Sequence, residues 1–224
     1  MIKLTKEPEP KVLLDNAEAW TENLLSKLAS GVKLTASEKT RYRHKEIKSV
    51  LEKETSGKCA YCESKLKHIH HGDVEHIYPK SLDPSKQLEW ENLTLACEIC
   101  NQNKSNRDPH LEFIIDPYVK DPEKHICFVG PMAFSLGTAD GISSITILDL
   151  NRPALVLMRN ETVQRIMGLY ETLLRPDIPL AAKKAIFNDI EANESSSSSQ
   201  FSALVNSVVA SMRSKLPQEI FATK

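Results

Sequence analysis

The chain has 224 residues, 41% of them hydrophobic and 26% charged, with 7 Gly and 12 Pro. That composition excludes a collagen, a coiled coil and a disordered tail, and no apolar run approaches the roughly 20 residues that cross a bilayer. The net charge of −1 excludes a global basic footprint, so a nucleic-acid binder of this balance relies on a local patch or a metal. The opening Met1-Ile2-Lys3-Leu4-Thr5-Lys6 has no apolar leader, and the expected setting is cytoplasmic with no membrane partner.

In chain order, residues 1–14 read as extended. A helix is expected from Asp15, as N-cap, to Ala29. Thr35-Ala-Ser-Glu38 has the capping-box pattern and opens a second helix over 36–55, with Tyr42, Ile47, Val50 and Leu51 as its buried stripe. Lys39, Arg41, Arg43, Lys45 and Lys48 crowd this helix; such a run is more often a solvated face than a track for a nucleic-acid backbone. Val74–Ile77 and Leu93–Ala96 read as short strands, Pro79–Glu89 between them as a polar loop, and the stretch from Cys97 to Arg107 as a short helix. Ile126–Val129, Met132–Leu136 and Ser143–Leu148 read as strands, with Ala139-Asp-Gly141 as a turn. Helices are expected from Pro153 to Leu174, over 180–191 and from Phe201 to Leu216. Ser195–Ser199 reads as a low-complexity linker.

Four of the five cysteines form two C-x-x-C pairs, Cys59/Cys62 and Cys97/Cys100. Paired C-x-x-C in a reducing setting reads as zinc before disulfide, because each tight turn aims two thiolates at one ion and two turns complete a tetrahedron. Cys127 lies in an apolar stretch and reads as a small buried hydrophobe. Trp90 reads as core.

Between the pairs lies Asp73-Val-Glu75-His76-Ile-Tyr-Pro-Lys80-Ser, followed by Trp90-Glu-Asn92-Leu and by Cys100-Asn101-Gln-Asn-Lys104. A carboxylate beside a histidine, with two asparagines downstream, offers oxygen ligands for a hard cation such as magnesium or manganese. His76, with an ordinary pKa of about 6.5, suits a general base at neutral pH. Metal plus base suffices for phosphodiester hydrolysis by water. Lys104 and Arg107 are candidate contacts to substrate phosphate. His68, His70 and His71 read as a solvated loop.

Over Cys59 to Arg107 these motifs, in this order, resemble the HNH endonuclease family. The resemblance implies an α+β protein in which a ββα-metal HNH module, stapled by a four-cysteine zinc site, is flanked by N-terminal helices (1–58) and by a C-terminal part of short strands and helices (108–224) that docks a partner. It implies that His76 activates the water, that Glu75 and Asn101 bind a catalytic Mg2+ or Mn2+, and that Asn92 holds the loop and orients His76. Cys59, Cys62, Cys97 and Cys100 would bind a structural Zn2+. Glu75 stands where many members have Asp, and its extra methylene leaves room for contact through water. The products would carry 5′-phosphate and 3′-hydroxyl ends. Met1–Leu4, Cys59-Ala-Tyr-Cys-Glu-Ser64, Val74–His76 and Leu148-Asp-Leu-Asn-Arg-Pro153 are also similar to the HNH nuclease subunits of Septu-type anti-phage systems, found with retrons as well. That likeness implies a defence nuclease, cutting DNA ahead of RNA, with an ABC/SMC-like ATPase partner and, in some systems, a retron RNA–DNA element. The rival expectation is a non-catalytic zinc-knuckle nucleic-acid binder or adaptor subunit.

Overall fold

Pro10 sets where the first helix starts. It is extended, with φ −64° and ψ 143°, and α1 (Lys11–Ala29) begins directly after it. The expected start at Asp15 is therefore four residues late: the helix must already be formed at Leu13, whose side chain is in the core, while Asp15 is an exposed position inside it. The computed structural model describes residues 1–66 and 72–221. His68, His70 and His71 lie outside the described residues.

The single helix expected over 36–55 is broken. The capping box of Thr35 and Glu38 is formed and starts α2 (Ala36–Lys39), but a 3-10 turn (Arg41–Arg43) follows before α3 (Lys45–Glu54). His44 causes the break. Its ψ of 139° leaves helical space, and its Nδ1 accepts a hydrogen bond from the Glu46 amide, which caps α3. Tyr42, Ile47 and Leu51 are buried; Val50 is half-buried.

β1 (Asp73–His76) and β2 (Leu93–Ala96) pair antiparallel, with Asp73 opposite Ala96 and His76 opposite Leu93. α3 packs on β2, and α4 (Glu98–Lys104) packs on β1. Gly72 leads into β1 at φ +69°; a Cβ there would lie 2.8 Å from Leu66 Cδ1 and 3.0 Å from Leu95 Cδ1, so glycine serves both the backbone angle and the close approach. The segment read as a polar loop holds a 3-10 turn, Pro84–Leu88, and buries Gln87 and Leu88; a second 3-10 turn, Trp90–Asn92, follows it. Trp90 is core, as read, and its Nε1 donates to Glu7 O.

β3 (Ile126–Val129) and β4 (Met132–Ser135) form a second antiparallel pair. Cys127 is only half-buried, because β3 turns one face outward. The strand expected at Ser143–Leu148 is instead part of α5 (Ala139–Ile147), and the expected turn at Ala139–Gly141 is its first turn. Local β-branched residues are overruled by a cap and by packing: Thr138 Oγ1 accepts from the Gly141 amide, and Ser144 Oγ is fully buried, accepting from the Ile115 amide. α6 (Pro153–Leu174), α7 (Leu180–Asp189), running on through a π turn at Ile190–Glu194, and α8 (Ser202–Arg213) follow.

The main core joins Met1, Leu13, Tyr61, Leu95, Ile115 and Leu150 with Phe201 and Leu204, residues from all three stretches of the chain. A smaller core of Ile166, Tyr170, Phe187, Ile190 and Val209 belongs to the C-terminal helices. Ser195–Ser199 is tied down rather than acting as a free linker. Lys58 Nζ donates to the carbonyls of Ser197 (2.6 Å) and Ser199 (2.9 Å), and pairs with Glu63 at 3.4 Å. Glu63 also accepts from the Met1 ammonium at 2.6 Å and from Ser202 Oγ at 2.7 Å. Burial alone would push the Glu63 carboxyl up, but these cations and donors outweigh it and bring it to about 2. Replacing Glu63 by Gln strands two buried cations, so Glu63→Gln is expected to lose about 3–5 kcal/mol of stability, read by urea unfolding; a loss under about 1 kcal/mol would show that the node does not support the core.

Candidate active site

The two C-x-x-C turns meet. The four sulfurs of Cys59, Cys62, Cys97 and Cys100 all lie within 4.8 Å of one another, three of the residues being buried. A tetrahedral zinc with bonds of about 2.3 Å holds its sulfurs about 3.8 Å apart; Cys62 Sγ and Cys97 Sγ are 3.8 Å apart. The donor set and spacing therefore fit the ion. Cys97 is also the N-cap of α4, its Sγ accepting from the Cys100 amide. The first knuckle is bound to the sheet through the Ala60 amide, which donates to Leu95 O. So the sulfur cluster sets where α4 sits on β1.

That placement builds a cleft of about 380 Å3 lined by Tyr42, Arg43, Asp73, Glu75, His76, Lys80 and Asn101 among others. His76 closes β1 and is buried. Its Nε2 lies 3.1 Å from Gln87 O. A carbonyl only accepts, so in the neutral ring Nε2 carries the hydrogen and Nδ1 keeps the lone pair. Burial and the nearby Lys80 ammonium hold the imidazole down at about 4, against the Gln87 carbonyl that favours the charged form. The ring is thus a neutral base at physiological pH. Tyr42 fixes its orientation from the side, the two rings meeting edge-on with centroids 4.6 Å apart.

Among the described residues the Asn92 side chain makes its hydrogen bonds to the loop and not to His76. Its Oδ1 accepts from the Tyr78 amide at 2.7 Å, and its Nδ2 donates to the carbonyls of Tyr78 and Lys86, both at 3.0 Å. It therefore clamps the ends of the loop that carries the Gln87 carbonyl, and so acts on the imidazole at one remove.

Glu75 and Asp73 point to one face of β1, since strand residues alternate, and α4 covers that face. Asn101 Nδ2 donates to Asp73 Oδ2 at 3.1 Å, which leaves Asn101 Oδ1 available to a cation. Glu75 is buried, and burial pushes its carboxyl up although Lys104 pulls it down. Lys104 Nζ is 2.9 Å from Glu75 Oε1, an ion pair without hydrogen-bond geometry, so Oε1 remains a buried oxygen with no hydrogen-bond donor. The Asp73 and Glu75 carboxylates and the Asn101 amide oxygen are donors that suit a hard divalent cation. Asp73 was missed by the sequence reading; its place two residues before Glu75 on a strand was the clue.

Of the two residues expected to meet phosphate, Lys104 is placed otherwise. Lys104 is 1% exposed, and its ammonium is taken by Glu75 and by His76 O at 2.9 Å. It is an internal strut between α4 and β1, with no surface for a phosphate to reach. Arg107 lies past α4, which ends where Ser105 turns to φ +50°, and its guanidinium pairs with Glu112 at 2.5 Å.

Sequence reasoning also passed over Arg152. Its Nη1 is 3.8 Å from Cys100 Sγ and its Nη2 3.9 Å from Cys97 Sγ. Four thiolates around Zn2+ carry a net charge of −2, and a guanidinium against two of the sulfurs offsets part of it. The neighbouring Asn151 brackets Ala133 of β4, accepting from its amide and donating to its carbonyl at 2.8 Å each. Outer partners of this kind are worth about 10–100-fold in metal affinity. Arg152→Gln is expected to weaken zinc binding by that factor in competition with a chromophoric chelator; unchanged affinity would assign Arg152 to packing alone.

The family model described as HNH endonuclease matches residues 59–107. A protein named Septu protein PtuB from Bacillus mycoides (strain KBAB4) is 28% identical over 203 residues, covering 74% of this chain and 68% of that one. A second protein of the same name, from Bacillus thuringiensis, is 31% identical over 136 residues, covering 56% of this chain and 52% of that one, so this match spans about half of the relative's length. The sulfur cluster, the cleft it builds and these matches converge: residues 59–107 are similar to HNH endonuclease domains, within a chain similar over much of its length to Septu PtuB proteins.

Proposed function

We propose that the chain is a metal-dependent endonuclease that hydrolyses phosphodiester bonds of nucleic acid, DNA ahead of RNA, and that it serves as the nuclease of a Septu-type anti-phage complex. The observation that carries the catalytic reading is the state of His76: buried, neutral, its Nε2 held by the Gln87 carbonyl, beside a carboxylate and an asparagine on one wall of the cleft. A structural zinc centre that only grips nucleic acid needs no such base.

Nδ1 of His76 takes the proton from the attacking water as its oxygen forms the bond to phosphorus. Asn92 and the Gln87 carbonyl keep the ring in the one tautomer that can do so. Glu75, Asp73 and Asn101 are the residues that would hold Mg2+ or Mn2+. When bound, that ion would supply charge to the leaving oxygen as it departs. Lys104 keeps the Glu75 carboxylate in place before the ion arrives.

The ATPase partner is an ABC/SMC-like subunit, with a retron RNA–DNA element in systems that carry one. The Septu names of the two relatives support the defence setting. Docking falls to the C-terminal part, where Val129, Phe134, Leu136, Ile142 and Leu157 are exposed apolar side chains.

Wild-type protein and His76→Ala, each assayed on plasmid DNA and on total RNA with magnesium or manganese, test the reading. Loss of the base is expected to reduce cleavage by about 10²–10⁴-fold with zinc content unchanged. Equal cleavage by the two proteins would remove His76 from the chemistry. Binding without cleavage by either, with the ATPase present, would favour the adaptor.

A further inference from the structure

The cations around the cleft can be sorted by whether they already have a partner. Lys104 is buried against Glu75, and Arg107 is paired with Glu112. Arg41 faces away, over the Trp20 ring, with its guanidinium on Trp20 O and 3.9 Å from Glu38. Two cations on the cleft wall remain: Arg43, which is exposed, and Lys80, which is half-buried. Among the described residues neither has a carboxylate partner. Both are organised by Tyr42. Lys80 Nζ donates to Tyr42 Oη at 2.6 Å and lies 3.9 Å from the ring centroid; Arg43 Cζ is 5.5 Å from the same ring. The same buried ring meets His76.

We infer that Arg43 and Lys80 hold the substrate phosphates beside the scissile bond, and that Tyr42 is the positioning residue that sets both against His76. The inference rests on the nuclease reading and gives its substrate a grip from the N-terminal segment. Tyr42 and Arg43 lie outside residues 59–107, so the matched domain alone holds only half of this grip. The physical case is charge and geometry. Neither cation has an ion-pair partner among the described residues, and together with the cation that Asp73 and Glu75 would hold they make a cleft wall that a phosphate completes. A phosphate also suits the pair chemically, since the guanidinium fork binds two oxygens at once while the ammonium acts as a point charge. The stacked Tyr42 ring restrains both side chains before substrate arrives, which lowers the entropy cost of ordering them. The remaining basic side chains of this segment, such as the exposed Lys45 on α3, are a solvated face.

The test uses full-length protein carrying His76→Ala, so that substrate binds without being cut. Affinity for a short DNA duplex is followed by fluorescence anisotropy over a salt series. Arg43→Gln and Lys80→Gln should each weaken binding about tenfold or more and lower the slope of log affinity against log salt by about 1. Lys45→Ala should change neither. Tyr42→Phe keeps the ring against His76 but removes the oxygen that holds Lys80; in otherwise wild-type protein it should raise KM more than it lowers kcat. Zinc content and melting temperature show that each variant is folded. If Arg43→Gln and Lys80→Gln bind with unchanged affinity and slope, the inference is overturned. If that happens while wild-type protein cuts and His76→Ala does not, the nuclease reading survives alone. If the His76→Ala variant cuts as well as wild type, His76 is not the base, and the catalytic reading on which this inference rests fails first.

Discussion

Everything at this site depends on four sulfur atoms being held together. A sheet of two four-residue strands under a seven-residue helix is too small to be stable by itself, since isolated hairpins are marginal in water. Structural zinc contributes apparent binding free energies of about 10–16 kcal/mol, which exceeds what any side-chain contact in the module supplies. The knuckles bind β2 through the Ala60 amide and cap α4 through Cys97. With those two attachments made, Asn101 reaches Asp73 and Lys104 reaches Glu75. Without them, the residues of the cleft have no reason to face one another.

The second constraint is the handling of buried charge. Lys104 and Lys58 are both nearly inaccessible, and each meets a buried carboxylate, Glu75 or Glu63. Such pairs add little net stability, but losing one member is costly, so they fix position. Lys104 fixes the Glu75 carboxylate in the cleft. Lys58 fixes the first knuckle to the serine-rich segment and, through Glu63, to the chain's first residue. Arg152 extends the same logic to the thiolates and brings the start of α6 against the knuckle. The N-terminal helices and the C-terminal part therefore share a core with the nuclease module and brace it from both sides.

The arrangement of the site was legible where its residues lie close in sequence. Two C-x-x-C pairs, a Glu-His on a strand and Asn101 one residue after Cys100 can be read from spacing, because the turn or helix that presents them is local. The Trp90 core position and the strands β1 to β4 were legible for the same reason. The misreadings have long-range causes. α5 forms because Ser144 accepts from Ile115 and because the first turn of α5 packs tightly on the β3–β4 pair, where a Cβ on Gly141 would lie 2.2 Å from His125 O. His44 breaks a helix that propensity alone would continue. Lys104 reads as a surface cation until its partner Glu75, on a different element, is seen. Tyr42 and Gln87 carry no motif, and the motif that holds Arg152 does not show its target: each acts through a ring, a carbonyl or a guanidinium whose partner is set only by the folded chain.

If the sulfur cluster builds the cleft, nucleic-acid cleavage is conditional on the sulfur-bound ion as well as on the cation in the cleft. The most direct measurement is cleavage of plasmid DNA as zinc is stripped by a chelator, with magnesium held in excess throughout. The rate is expected to fall in proportion to bound zinc and to return when zinc is restored, while added magnesium does not rescue it. A zinc-free protein that cleaves at the full rate on magnesium alone would contradict this dependence.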